Sequence, residues 1–98
     1  MTIYKSIFKK KVSPVNIIGK IIEVTFSSNP YLIGLKGRVV KETKNTIIIE
    51  TTGSKRKIIP KAACRFKIYN TEGDRSYEIN GKSLVGTLDR RLKSWVGR

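Results

Sequence analysis

Apolar and polar positions alternate with a period of two through most of this chain. In residues 20–26, Ile22, Val24 and Phe26 share one side, while Ile21 and Glu23 share the other. The same alternation recurs in residues 33–41, 64–69 and 77–79, and residues 46–51 and 55–59 are further short runs between turn signals. A period of two is typical of strands with one buried face. The pattern therefore predicts five or six short strands.

Turn-forming residues separate these segments. We predict turns at residues 27–30, 44–45, 52–54, 70–74 and 80–81, where Asn, Gly, Pro and Ser are concentrated. Pro60 is expected to interrupt a ladder, and Gly34 and Gly37 suggest a sharp bend within a strand. Consecutive antiparallel strands avoid exposed edges by curling shut. We expect an all-β fold: a small antiparallel Sm-like or SH3-like barrel.

Both ends of the chain predict short helices. Ser13 before Pro14 is a helix-start signal, so a helix is predicted from Pro14 to Gly19. Residues 89–95 also have helical composition. The predicted organisation is a basic tail at 1–12, a barrel domain with its short N-terminal helix at 13–86, and a basic helix or tail at 87–98.

The charge of the chain indicates a polyanionic partner. It has 21 Lys and Arg against 7 Asp and Glu, for a net charge of +14 and a pI near 10.3. Such an excess favours nucleic acid. No apolar run reaches the roughly 18 residues of a membrane-spanning helix, and the first residues lack the apolar stretch of a signal peptide. We expect a cytoplasmic protein that does not bind membranes.

Intrinsic catalysis is not expected. The chain has no histidine to act as a base or to activate a nucleophile, and one cysteine, Cys64, which we assign to the core. The seven carboxylates are scattered and suggest no two-metal site; Glu42 and Glu50 are expected to pair with Lys or Arg across strands. We expect no catalytic residue, no metal ligand and no cofactor bound by this chain.

Basic residues are the candidates for binding RNA. Alternation places Lys36 and Arg38 on one outward face, and Arg65, Lys67 and Tyr69 on another. Cations beside turns suit phosphate contact without base reading. The alternative is that such runs are merely solvated surface. The candidate RNA-binding residues are Lys36, Arg38, Lys41, Lys44, Lys55, Arg56, Lys57, Lys61, Arg65, Lys67, Arg90 and Arg91.

Residues 29–46, NPYLIGLKGRVVKETKNT, resemble the archaeal ribonuclease P protein component 1 family, the counterpart of a eukaryotic ribonuclease P/MRP subunit. The resemblance continues through residues 47–51, 59–61, 65–66, 79–86 and 89–92. The order and spacing of these stretches are more specific than any one of them. One departure is Thr87-Leu88, where acidic and proline residues are common in the family.

The resemblance implies an Sm-like barrel that assembles with the catalytic RNA of ribonuclease P. That RNA, which requires Mg²⁺, would remove the 5′ leader from precursor tRNA. The resemblance also implies other ribonuclease P proteins, among them a zinc-ribbon subunit that forms a heterodimer through Val15, Ile17, Ile18 and nearby strand residues. From the residues alone, the segment with Ile17 and Ile18 could equally plug the barrel.

Two other functions fit parts of the sequence. A ribosomal protein that binds structured RNA is one, because residues 34–50 resemble the glycine-punctuated hairpin of ribosomal barrels. An Sm-type ring protein that binds single-stranded RNA is the other, although the cationic ends and the few candidate stacking rings argue against it.

Overall fold

The computed structural model describes residues 15–69 and 75–96, with the side chains of residues 94–96 left out. The predicted tail at 1–12, Ser13 and Pro14, the turn at 70–74 and residues 97–98 lie outside the described part. The strands are β1 Ile21–Ser27, β2 Lys36–Glu42, β3 Thr46–Thr51, β4 Lys55–Pro60, β5 Cys64–Tyr69 and β6 Ser76–Asn80. The one α-helix of the described residues, α1, spans Leu88–Val96. Single 3₁₀ turns occupy Pro30–Leu32, Thr52–Ser54 and Gly81–Leu84.

The six strands form one antiparallel sheet in the order β4-β3-β2-β1-β5-β6. The all-β class and the strand number are confirmed. The predicted closure is wrong, because β4 and β6 are free edges that do not pair with each other. The 3₁₀ turn after β6 lies against Lys61, the residue that follows β4. The two backbones are so close that a Cβ on Gly81 would overlap the backbone oxygen of Lys61. Close backbone contact thus takes the place of a ladder there.

One face of the sheet forms the core. Its side chains come mainly from β1, β2, β3 and β5, where every second residue turns inward over most of each strand, whereas β4 buries only Ile59. Two residues from outside the strands complete it: Ile17 before β1 and Leu84 after β6. Cys64 is buried, as predicted, and its thiol donates to the Ser27 hydroxyl over 3.3 Å. The buried hydrophobic residues are Ile17, Ile22, Val24, Val39, Ile47, Ile49, Ile59, Cys64, Phe66, Ile68 and Leu84.

A register shift in β1 overturns the predicted position of Phe26. The pairing of β1 with β5 slips between Val24 and Phe26, which marks a β-bulge. An extra residue on one strand reverses which side chains face inward. Phe26 is therefore 56% exposed, whereas Ser27 is buried at 4%.

The predicted turns that fall within the described residues are present, but their exact residues and types differ from the prediction. The hairpin at residues 44–45 is confirmed, with the Thr43 N–H donating to the Thr46 oxygen over 2.9 Å. The strand expected from residue 33 begins only at Lys36, because residues 30–32 form a 3₁₀ turn after Asn29, whose side chain accepts from the Tyr31 N–H. Residues 80–81 are not a two-residue turn: Asn80 caps the 3₁₀ turn Gly81–Leu84. Pro60 ends the edge strand β4 instead of interrupting it.

The helix predicted from residue 14 to 19 is wrong over its described part. Residues 15–17 are irregular, and Ile18 and Gly19 form a turn in which Gly19 has φ +87°. The Ile18 N–H donates to the Asn16 side chain, which satisfies the backbone locally without a helix. The C-terminal helix is confirmed, with the Thr87 hydroxyl accepting from the Arg90 N–H over 3.4 Å.

Candidate nucleic-acid interface

The solvent face of the sheet carries many of the predicted RNA-binding cations. The register pairs Arg38 with Glu50 and Glu50 with Arg56, and it places Glu23 between Lys36 and Lys67. We call this surface the outer face: the solvent side of β4, β3, β2, β1, β5 and β6. Its cations sit on strands, as the alternation predicted.

Carboxylates interrupt the cations of the outer face. Arg56 Nε lies 3.8 Å from Glu50 Oε2, and Arg65 NH2 lies 3.7 Å from Glu78 Oε1. The predicted cross-strand pairing of Glu50 is confirmed. Because Glu23, Glu50 and Glu78 lie among these cations, the net positive field of the face is lower than its lysines and arginines alone would give.

Tyr69 and Arg38 are held by neighbours on the outer face. Lys36 Nζ lies 4.5 Å from the centroid of the Tyr69 ring, in cation–π contact. The Tyr69 hydroxyl donates to Glu23 Oε1 over 2.9 Å, and this hydrogen bond is the main reason that its pKa is raised. Arg38 NH1 donates to the Gly19 oxygen over 2.7 Å. One face of the Tyr69 ring is therefore covered by a lysine.

The cations beside the turns are exposed. Lys55, Arg56 and Lys57 lie on the edge strand β4, while Lys41 and Lys44 lie near the hairpin between β2 and β3. Their accessibility agrees with the prediction, and their contact with RNA stays a prediction.

Two predicted RNA-binding residues are inside the fold. Lys61 is 0% exposed and Arg91 is 1% exposed. Neither side chain reaches a surface that RNA could touch, so we correct their assignment: both are structural. No local pattern indicates this burial, because the common partner of the two residues, Glu42, lies 19 and 49 positions away along the chain.

Glu42, Lys61 and Arg91 form a buried group that we call the Glu42 cluster. Lys61 Nζ donates to Glu42 Oε1 over 2.9 Å and to the backbone oxygens of Thr43 and Gly86 over 2.7 and 3.0 Å. Burial lowers the pKa of Lys61, and the hydrogen bond and charge of Glu42 partly offset this effect. Glu42 does pair with basic residues, but the predicted cross-strand pairing is wrong, because Lys61 follows β4 and Arg91 lies in α1.

Arg91 ties three separate segments to the Glu42 cluster. Its guanidinium donates to Glu42 Oε1 over 3.0 Å, to the oxygens of Leu84 and Gly86, and to the Val15 oxygen over 2.9 Å. Helix α1, the segment before it and the chain entering β1 thus converge on one side chain. The planar fork of arginine suits this many fixed acceptors.

Residues 10–94 match the family model described as "Ribonuclease P/MRP, subunit p29". The chain belongs to this family. "Ribonuclease P protein component 1" of Thermococcus sibiricus is 41% identical over 85 residues, which are 87% of this chain and 66% of that relative. The protein of the same name from Methanosarcina barkeri is 40% identical over 86 residues, covering 80% of this chain and 78% of its own.

A solved structure supports the same assignment. "Structure of Mth11: A homologue of human RNase P protein Rpp29" matches with a TM-score of 0.59 and 31% identity, covering 79% of this chain and 97% of that one. The p29-family stretches found in the sequence include all three members of the Glu42 cluster. In this chain, these three family-like residues hold one another in the interior through hydrogen bonds to Glu42.

The predicted partner-binding residues of this p29-family chain differ in accessibility. Ile17 is 0% exposed and belongs to the core, so it cannot contact a partner in this fold. Ile18 is 45% exposed, and Val15 is half-buried with its oxygen bound to Arg91. Of the two sequence interpretations, the structure supports the core role for Ile17. Partner contact stays a prediction for Val15 and Ile18.

Within residues 15–69 and 75–96, no three His, Cys, Asp or Glu side chains come together as a metal site would require. None of the helices in that part of the chain is long and apolar enough to cross a membrane.

Proposed function

We propose that this chain is an RNA-binding protein subunit of ribonuclease P. In this function it assists the catalytic RNA in removing the 5′ leader from precursor tRNA. The observation that carries the proposal is membership of the ribonuclease P/MRP subunit p29 family across residues 10–94. The net charge of +14 supports it, because a small cationic domain reduces repulsion between packed RNA phosphates. The same membership favours this function over that of a ribosomal protein or an Sm-type ring.

The protein would contribute charge and shape, while the RNA and its Mg²⁺ ions supply the chemistry. Further expected components are the precursor tRNA, a zinc-ribbon protein that forms a heterodimer with this chain, and other ribonuclease P proteins. Cytoplasmic localisation belongs to the same proposal.

Reconstitution tests the proposal. The full chain, with its zinc-ribbon partner, is added to an archaeal ribonuclease P RNA, and precursor-tRNA cleavage is followed across a Mg²⁺ titration. We expect cleavage at the 5′ end of the mature tRNA at lower Mg²⁺ than the RNA alone requires, because the protein screens phosphate repulsion. A lysine-rich peptide of the same net charge is the control for charge without a fold.

Two results would contradict the proposal. One is an unchanged Mg²⁺ requirement, and the other is an equal effect from the lysine-rich peptide. Cleavage by the chain without RNA would contradict the assignment of the chemistry to the RNA.

A further inference from the structure

The exposed cations of the described residues differ in their carboxylate neighbours. On the outer face, Arg56 and Arg65 lie near Glu50 and Glu78. Lys44 and Arg90 are exposed, and no hydrogen bond or ion pair engages either side chain among the described residues. An unpaired cation gives up no carboxylate partner when it meets a phosphate, and each phosphate that it neutralises releases counterions from the RNA. Lys44 and Arg90 are therefore better suited to RNA phosphate than Arg56 and Arg65.

Lys44 and Arg90 face a common cleft. The cleft has a volume of about 300 Å³ and is lined by Lys44, Gly86, Thr87 and Arg90. No carboxylate is among these lining residues. Its walls offer two cationic groups and a hydroxyl, which are the donors that proteins use for phosphate oxygens.

Buried hydrogen bonds fix the backbone on both sides of the cleft. The Gly86 N–H donates to the Lys44 oxygen over 2.7 Å. From beneath, Lys61 Nζ donates to the Gly86 oxygen over 3.0 Å and to the Lys44 oxygen over 3.4 Å. The hairpin that carries Lys44 and the segment that leads to Arg90 are thereby joined. A site whose walls are held before binding loses less entropy when a ligand enters.

The Glu42 cluster adds positive charge directly behind the cleft. Two cations, Lys61 and Arg91, share the one carboxylate of Glu42, so the cluster has a net excess of one positive charge. Buried charge is screened less by salt than surface charge. The acidic residue next to Arg90 along the chain, Asp89, has its own partner, because Lys93 Nζ lies 3.5 Å from Asp89 Oδ2.

We propose that the cleft between Lys44 and Arg90 binds a phosphate group of the RNA backbone, and that it contributes more to RNA affinity than the outer face does. This inference rests on the proposed function and gives it a location. It also selects two residues from the candidate RNA-binding residues of the sequence, which include cations on strands and cations beside turns.

The test compares two double variants of the full chain. Lys44→Gln with Arg90→Gln removes the cleft cations, and Arg56→Gln with Arg65→Gln removes the two ion-paired cations of the outer face. Binding of each to an archaeal ribonuclease P RNA is measured across a range of salt concentrations. Each lost phosphate contact reduces the slope of log K against log salt by roughly 0.7 to 0.9. We expect the cleft variant to lose about one such contact from the slope, and the outer-face variant less than half as much as the cleft variant.

Thermal unfolding of both variants shows whether the comparison is fair. Lys44 and Arg90 are exposed and unpaired in the described structure, so the cleft variant should unfold as the unchanged chain does. An unchanged salt slope for the cleft variant would overturn the inference, as would an equal or larger loss for the outer-face variant. Failure of the unchanged chain to bind this RNA would instead contradict the proposed function, so the two failures are distinguishable.

Discussion

The outer face of the sheet and the Glu42 cluster use the same kinds of side chain in opposite surroundings. On the outer face, Arg65 and Glu78 are 3.7 Å apart, and each side chain is about half exposed. In the cluster, Lys61 and Glu42 are 2.9 Å apart, and their side chains are 0% and 7% exposed. Water and salt screen the first pair and leave the second largely unscreened.

This difference separates two roles of a basic residue. A solvated pair of the outer face contributes about 0 to 1 kcal/mol to stability, so its charge remains available to a partner. The buried cations cannot meet a partner; they hold α1, the 81–86 segment and Val15 against the hairpin between β2 and β3. A count of cations in the sequence does not distinguish surface residues that can bind a partner from buried residues that hold the fold together, whereas the structure does.

The largest expected effect of a single substitution is at Glu42. Glu42→Gln leaves Lys61 and Arg91 buried and adjacent without a counter-charge. Removing one partner of a buried ion pair costs about 3 to 5 kcal/mol. We expect a loss of this size in the free energy of unfolding, measured with urea.

The matched control for Glu42→Gln is Glu78→Gln on the outer face, since Glu78 is half exposed and its pair is weak. The control should change the unfolding free energy by about 0.5 kcal/mol or less. Equal losses for the two variants would remove the distinction between the two regions.

A smaller loss is expected when Arg91 becomes lysine. Arg91→Lys keeps the charge but cannot reach Glu42, Gly86 and Val15 together, because an ammonium lacks the two-pronged guanidinium. Leaving such acceptors unpaired costs about 2 kcal/mol. Urea unfolding measures this loss. Arg90→Lys, on the adjacent exposed position, should be nearly neutral, and a tolerated Arg91→Lys would show that charge alone holds the helix.

The strands were predictable from the sequence because their signal is local. Alternation and turn signals together located all six strands; in β3 and β5 the boundaries matched to the residue, and in β2 the start was three residues early. The predictions that were wrong depended on a one-residue shift in strand register or on contacts between segments far apart in the chain. The bulge after Val24 exposes Phe26, and nothing in the alternation marks where a strand gains a residue. Closure failed because it depends on contacts between β4 and β6.

The candidate site was less predictable than the fold. Exposure of Lys36, Arg38 and Lys44 followed from strands and turns. Burial of Lys61 and Arg91 did not, because a basic residue is expected at the surface unless its partner is known. Glu42 was recognised as an ion-pair partner only across strands, whereas its actual partners come from the residue after β4 and from α1. Long-range pairing of this kind has no periodic signal.

The smallest expected effect is a pH dependence that belongs to Lys61. Burial lowers its pKa below the ordinary 10.5 of the unfolded chain, so between the lowered value and 10.5 the unfolded state binds more protons. The contribution of Lys61 to the free energy of unfolding therefore rises with pH through that window. Lys61→Met removes this contribution and keeps the pair of Arg91 with Glu42.

Urea unfolding of the unchanged chain and of Lys61→Met, from neutral pH to about 10.5, measures the difference. We expect the unchanged chain to gain stability relative to the variant as pH rises. The raised pKa values of Tyr69 and Tyr77 act in the opposite direction at higher pH, but they are present in both proteins and cancel. Lys44→Met, at an exposed position, should show no such trend. If the unchanged chain instead lost stability relative to the variant as pH rises, attraction to Glu42 would outweigh burial in setting the pKa of Lys61. The Glu42 cluster would then be governed by charge attraction and not by burial, and the contrast with the outer face would weaken.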